Sequence, residues 1–591
     1  MVNQKNMSFF KSVMATVVGL VIAGLILMVF FVFGIIGLVA SGSEEVPQVK
    51  ENSILYINLT GGIAERIPED PFAEVLGNDA RGIELLGTLN ALKHAKTDDN
   101  IKGIYMEHGF LSGGYASIEE IRDAIEDFKS SGKFVYSYAE FISEANYYVA
   151  SVSDEIYFNP QGVIEFNGLS ANLTFFKGLF DKLEVEPQIF RVGTYKSAVE
   201  PFMRKDMSEA NREQVSSFIN SIYDHYLKNV SESRGISYDQ LKSISDSMLV
   251  RSPEDAFKHK LVTKIAYEDE IKTLIREQLG LEEKAKINSI SLNNYIKTAA
   301  GASEYSSNKI AVIVAEGEIV SGKGQSTNVG SEKFSRAIKR ARENDKVKAV
   351  VIRVNSPGGG IVASDVMWHE IMLTKAKKPV IASMSAVAAS GGYYLSMPCD
   401  TIVAQPNTIT GSIGIFGMMF NMGGFLENKL GITSDVVNTG EFSDIYTVSR
   451  SLNDFEKSII QSRVEEGYDS FTSKAAEGRN MSIEDLKEVA SGRVWTGSQA
   501  KERGLVDILG SYQDAINIAA AKAGIEDDYM TILYPELKSE FEEILAKLIG
   551  ESEARFAKAN YGDMAVYLDK IKNLENYKGI QARMPFDVTI Q

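Results

Sequence analysis

Residues 350–360 read VVIRVNSPGGG, and residues 104–114 read IYMEHGFLSGG. Aligned position for position, each is a short apolar run that stops in glycine, the pattern of a buried strand entering a turn. The register carries on downstream. Tyr147, Tyr148, Val149, Ala150 and Ser151 fall on Tyr393, Tyr394, Leu395, Ser396 and Met397. AFKHKLV at 256–262 then matches AKERGLV at 500–506. The chain is therefore a tandem duplication. Its two copies differ where chemistry would sit. Ser390, Gly391 and Gly392 of the second copy face Glu144, Ala145 and Asn146 of the first. Gly193, Thr194, Tyr195 and Lys196 of the first face Gly440, Glu441, Phe442 and Ser443 of the second. A nucleophile survives only in the second half and a base only in the first.

Around these stretches, strands alternate with helices. Residues 53–59 (SILYINL) and 309–314 (KIAVIV) are β-branched runs that open each copy. Residues 104–106, 134–138, 349–354 and 379–384 read as further short strands. Residues 118–128 and 332–342 carry apolar side chains near helical spacing. Such alternation predicts an α/β fold of parallel β-α units in each half. The expected divisions are a first repeat at 50–282, a polar linker at 283–307, a second repeat at 308–527, and a C-terminal extension at 528–591, helical over 538–548.

At 591 residues, with 44% hydrophobic and 24% charged positions, the chain is long enough for two or more folded domains. A net charge of −17 supplies no basic stripe for nucleic acid. The single cysteine, Cys399, excludes an internal disulfide and is read as a buried apolar residue. Of the five histidines, His94, His108, His225, His259 and His369, no pair has metal-ligand spacing. No metal or cofactor is expected.

The amino terminus sets the location. Between Ser12 and Ser43 there is no charged residue, enough for a bilayer-spanning helix of roughly 20 residues. Lys5 and Lys11 precede the run and Glu44 and Glu45 follow it. The positive-inside bias leaves residues 1–11 in the cytoplasm and the bulk of the chain outside. Ala40, Ser41 and Gly42 would pass as a signal-peptidase site, but the apolar run is longer than the h-region of a cleaved signal.

Three Gly-rich segments of the second half share a strand-then-turn setting: Asn355 to Gly360, Ala389 to Tyr394, and Thr410 to Gly414. In the first, glycines let backbone N–H groups face a cavity at the start of a helix over 361–373. In the second, Ser390 stands between small residues that leave its Oγ uncovered. Each is a weak signal alone. Together, RVNSPGG, ASGGYY and TGSIG in this order and spacing resemble the signal peptide peptidase A family of Ser/Lys peptidases. The GRVWTG stretch from Gly492 and GTYKSAVEPF from Gly193 to Phe202 continue the likeness, over roughly residues 50–525.

The resemblance implies the long, duplicated, membrane-anchored form of that family. Its fold would be that of Clp protease subunits and crotonases, with ββα repeats behind one N-terminal transmembrane helix. It also implies Ser390 as nucleophile, Lys196 as general base and an oxyanion hole from Gly358 and Gly359, with Gly360 left open. Ser412 would be a hydroxyl that orients the amine. The expected substrates are remnant signal peptides and other hydrophobic unfolded peptides, met by a homotetramer. Because the short form carries its lysine in the same repeat as the serine, Ser443 at the corresponding position agrees with the duplicated form.

Chemistry adds a requirement. A lysine accepts a proton only when neutral, and its ordinary pKa is about 10.4. Bringing it near 7 to 8 means withdrawing roughly 4 kcal/mol of solvation, which burial between the two halves would do. Arg353, just before the glycine loop, would bind a substrate carbonyl or pair with a carboxylate, the second being the simpler. Two other classes fit parts of the sequence. A crotonase-like acyl-CoA enzyme needs neither lysine nor anchor, and a catalytically dead membrane-protein scaffold need not keep both Ser390 and Lys196.

Overall fold

A computed structural model describes residues 47–68, 82–301, 305–537 and 579–584, with isolated positions between 16 and 24. Apart from those positions, the expected membrane span at 12–43 lies outside the described residues, as does the helix expected at 538–548. Among the described residues, no helix is long and apolar enough to cross a membrane.

Each half builds a parallel sheet on its β-branched runs. In the first, the order is Ile83–Glu84, Ser53–Ala64, Ile101–Ser112, Phe134–Ile142, Glu155–Ile164 and Lys264–Ile265. In the second, Ile409–Gly411, Val380–Ala389, Val347–Ser356, Lys309–Glu316 and Met530–Tyr534 run parallel, with Val494–Thr496 antiparallel at one edge. Helices such as Tyr115–Lys129 and Ser331–Glu343 cover them, so the strands are buried on both faces and read as continuous apolar runs. Val350, Val351, Ile352 and Val354 are all fully buried.

The duplication persists at the level of single hydrogen bonds. Tyr147 Oη donates to Leu261 O at 2.9 Å, and Tyr393 Oη donates to Leu505 O at 3.0 Å. Likewise Lys133 Nζ donates to Ala95 O and Asp98 O, as Lys378 Nζ does to Ala341 O and Asn344 O.

The structure departs from the sequence reading at two connections. Residues 283–307, expected as a linker, contain the strand Asn288–Ser291, which joins Ser53–Ala64, and the helix Leu292–Gly301. Of the extension at 528–591, the described parts are strands: Met530–Tyr534 completes the second sheet, and Gly579–Arg583 enters a third.

That third sheet and a buried ion cluster bind the halves together. Its order is Asn328–Gly330, Glu318–Val320, Gly358–Gly360, Gly579–Arg583, Phe416–Asn421 and Glu186–Arg191, so its last strand comes from the first half. Arg353 is fully buried, its Nε 2.8 Å from Glu65 and its Nη2 2.6 Å from Glu120, both first-half carboxylates. It is a carboxylate partner, the simpler of the two expectations. Close by, a Cβ on Gly114 would stand 2.4 Å from the Cβ of Ala386, so the absence of a side chain there lets the halves meet.

Candidate active site

Ser390 follows the strand Val380–Ala389 and caps the short helix Gly391–Ser396. Its φ of 55° and ψ of −110° are strained for a residue with a side chain, at about 1–3 kcal/mol. The surroundings impose the conformation: Ser390 N–H donates to Gly411 O at 2.8 Å, and Tyr394 N–H donates back to Ser390 O at 2.8 Å. The sharp turn presents Oγ at the junction of strand and helix.

Lys196 reaches the same point from the first half. Its loop is pinned on both sides: Tyr195 N–H donates to Ser491 O at 3.0 Å, and Gln214 Nε2 donates to Tyr195 O at 3.0 Å and Ser197 Oγ at 2.7 Å. Buried Glu200 accepts from Ser208 Oγ and Asn211 Nδ2, tying the loop to the start of the helix Glu209–Arg234. The side chain itself has no solvent exposure. Its Nζ lies 2.9 Å from Ser390 Oγ and 3.1 Å from both Ser412 O and Ser412 Oγ. Gly492 presses against it, since a Cβ there would stand 2.6 Å from Lys196 Cβ. This burial pushes the ammonium well below the ordinary lysine value.

The structure thus brings Ser390, Lys196 and Ser412 together within one chain. A neutral amine has two hydrogens and one lone pair. The hydrogens can go to the two Ser412 oxygens, which leaves the lone pair facing the Ser390 hydroxyl. Ser443, the second-copy counterpart of Lys196, is exposed, its Oγ accepting from Gly440 N–H.

Gly358 N–H donates to Ser356 Oγ at 3.2 Å and so is already engaged. Its φ of 96° and a Cβ position 2.6 Å from Gly391 N show why only glycine serves there: its bare face adjoins the backbone after the nucleophile. Sequence reasoning missed Gly391, Gly492 and Gln214. Gly391 was visible as the residue after the serine, and Gly492 opened a quoted motif, but nothing marked Gln214.

A peptidase chemistry is what a buried hydroxyl–amine pair supports, and the comparisons agree. The profile of Peptidase family S49 matches residues 127–282 and again 372–526, one match per half. Protease 4 of Salmonella typhi is 36% identical over 85% of this chain and 84% of its own. The chloroplastic serine protease SPPA of Arabidopsis thaliana is 35% identical over 81% of this chain and 70% of its own. Protease 4 of Haemophilus influenzae is 35% identical over 81% of this chain and 80% of its own. Among solved structures, a point mutant of ClpP1 from Listeria monocytogenes covers 35% of this chain and 94% of its own at 16% identity and a TM-score of 0.24, too slight a likeness to define the fold.

The chain is a serine peptidase. It belongs to peptidase family S49, in a form whose family domain occurs twice.

Proposed function

We propose that this chain is a membrane-anchored endopeptidase that degrades cleaved signal peptides and other hydrophobic, unfolded peptides outside the cytoplasmic membrane. Ser390 Oγ attacks the peptide carbonyl while Lys196, neutral in its buried pocket, takes the proton. Ser412 holds the amine, and the N–H groups of Gly359 and Gly391 bind the oxyanion. Lys196 then returns the proton to the leaving amine, and water resolves the acyl-enzyme. The observation that carries this reading is the 2.9 Å approach of Lys196 Nζ to Ser390 Oγ in a site closed to solvent.

Anchoring through residues 12–43 rests on the uncharged run itself, and places an enzyme for membrane-borne peptides beside its substrates. Assembly as a homotetramer accords with Val362, Val366 and Leu373, which project outward on one helix at 69%, 48% and 41% exposure. The Clp-like repeat architecture of each half accords with its parallel sheet. The deciding experiment is to treat the detergent-solubilised protein with a fluorophosphonate and map the label by mass spectrometry. Modification at Ser390, absent in Lys196→Ala, is expected. Labelling at another serine, or none, overturns the assignment.

A further inference from the structure

Lys196 and its acceptors come from different halves, so the segments that carry them must be held in register. Lys196 sits in a loop of the first half, and Ser412 follows the strand Ile409–Gly411 of the second. Residues 491–494 run against both. Tyr195 N–H donates to Ser491 O at 3.0 Å, Ser412 N–H to Arg493 O at 2.7 Å, and Gly492 N–H to Ile413 O at 2.8 Å. Val494 N–H donates to Gln214 Oε1 at 3.3 Å, and the same side-chain amide donates to Tyr195 O. The stretch therefore touches the loop of the base on one side and the base's acceptor on the other.

Arg493 adds the one long side chain of this stretch. Its guanidinium carbon lies 4.5 Å from the ring centre of Tyr195, the residue before the base, and 4.5 Å from that of Trp495. Its Nη2 is 2.9 Å from Glu213 Oε1, while Tyr195 Oη donates to Glu213 Oε2 at 3.1 Å. Arg493 and Tyr195 thus share a carboxylate as well as a contact face. The arginine side chain is 20% exposed, whereas Lys196 has no exposure. Its Nε is buried and has no hydrogen-bond partner among the described residues. Leaving such an N–H unbonded is unfavourable, and an arginine that only kept the surface soluble would turn outward to avoid it. Cation contact with two aromatic faces offsets that cost and holds the guanidinium inward.

We propose that Arg493 is a positioning residue for the serine–lysine pair: its guanidinium, laid against Tyr195 and Trp495, holds the loop that carries Lys196 onto the segment that carries Ser412 and keeps water from the amine. The proposal rests on the serine–lysine reading above. Other charged groups flank the same loop from several elements. Arg191 Nη1 donates to Lys196 O at 3.5 Å, Glu200 follows the loop, Glu213 faces Tyr195, and Arg503 lies 3.9 Å from the Trp495 ring. Loss of a charge must therefore be separated from loss of the ring contact. Lysine makes that separation, because it keeps the charge but lacks the planar group that lies against a ring.

The test follows the rate of fluorophosphonate labelling at Ser390 against pH, with kcat and KM on an internally quenched apolar peptide, in full-length wild type, Arg493→Met and Arg493→Lys. With the ring contact gone, water reaches Lys196 and its pKa climbs toward about 10.4. Both variants are expected to move the rising limb of the profile up by at least about one pH unit. At about pH 7 each then loses about tenfold in kcat, with KM within about twofold, and the loss closes at high pH. A limb that stays at the wild-type position in both variants overturns the proposal, whatever happens to Tm, because a residue needed only for stability leaves the profile of the folded fraction alone. A limb that moves in Arg493→Met but not in Arg493→Lys overturns it as well, since charge alone would then be acting. Circular dichroism checks folding. If Arg493→Met does not fold, Tyr195→Leu removes the ring from the other side of the contact and is expected to move the limb in the same way. Label on wild-type Ser390 with an unmoved limb defeats only the role of Arg493, whereas no label on the wild type defeats the peptidase assignment beneath it.

Discussion

Lys196 Nζ lies 2.9 Å from Ser390 Oγ across 194 residues of sequence. The contact joins the two copies of a duplicated chain, each of which has lost the residue that the other contributes. Neither group has a second candidate within reach of its role: Ser443 is exposed where the second copy would carry its lysine, and Glu144 stands where the first would carry its serine. Ser390→Ala and Lys196→Ala are each expected to lower kcat/KM at least about a thousandfold, and the double variant to be no worse than either. Losses that multiply, or a single variant that keeps a tenth of the rate, would mean that the two residues do not act as one unit.

Proton binding by Lys196 gives a pH profile of activity and one of stability, and both rise with pH. Burial holds its pKa well below the ordinary value. Activity should rise with pH as the amine deprotonates, with an apparent pKa well under about 10.4. A limb that appears only above about pH 10 would show an ordinary, solvated lysine.

For stability the sign runs the other way from a salt bridge. In the unfolded chain Lys196 keeps its proton up to about pH 10.4, while in the folded chain it loses it earlier. Between those values the unfolded state binds more protons, so stability rises with pH across that window. Lys196→Met removes the term. The variant is expected to melt at a higher temperature than the wild type at about pH 7, with the difference closing toward about pH 10. A Tm gap that does not change with pH would argue that the amine is protonated in its pocket.

Much of this site was legible because its residues fall in short motifs that tolerate little else. ASGG around Ser390 could be placed on a strand-to-helix turn from the sequence, and GTYKSAVEPF around Lys196 matched the lysine motif of the family it resembles. What escaped depends on distant pairing. The contact of Gly358 N–H with Ser356 Oγ at 3.2 Å is one such feature. Asn288–Ser291 is too short and polar to read as a strand, and forms one because it completes the edge of Ser53–Ala64. GIQARM has no alternating pattern, and its strand exists only because two other strands face it.

Gly391 tests the backbone of the cleft. A Cβ there would stand 2.8 Å from Ser364 Oγ and 2.9 Å from Ala582 O. Gly391→Ala keeps the N–H but its Cβ shifts the backbone around it, and is expected to reduce kcat by roughly a hundredfold, the scale of one misplaced oxyanion donor. Because two of the atoms that the new Cβ would meet are backbone, at 2.9 Å and 3.0 Å, Tm is expected to fall as well, and kcat is compared at a temperature where the variant is folded. Full activity in Gly391→Ala would remove Gly391 N–H from the mechanism.

Arg353 offers the contrasting case of a buried charge near the cleft with a structural task. It binds Glu65, Glu120, Ser383 and Ser385 within the core, and its guanidinium lies 5.5 Å from the Tyr512 ring. Arg353→Met leaves two buried carboxylates without a cation, and breaking such a cluster costs about 3–5 kcal/mol. Neutralising the whole set avoids that penalty, so Arg353→Met with Glu65→Gln and Glu120→Gln should recover most of the lost stability, read as the urea midpoint. In the folded fraction of either variant, the rate of fluorophosphonate labelling should match the wild type, because Arg353 touches neither Ser390 nor Lys196. A raised KM for peptides with an unchanged urea midpoint would instead make Arg353 a substrate-binding residue, and would require its guanidinium to leave the two carboxylates when a peptide binds.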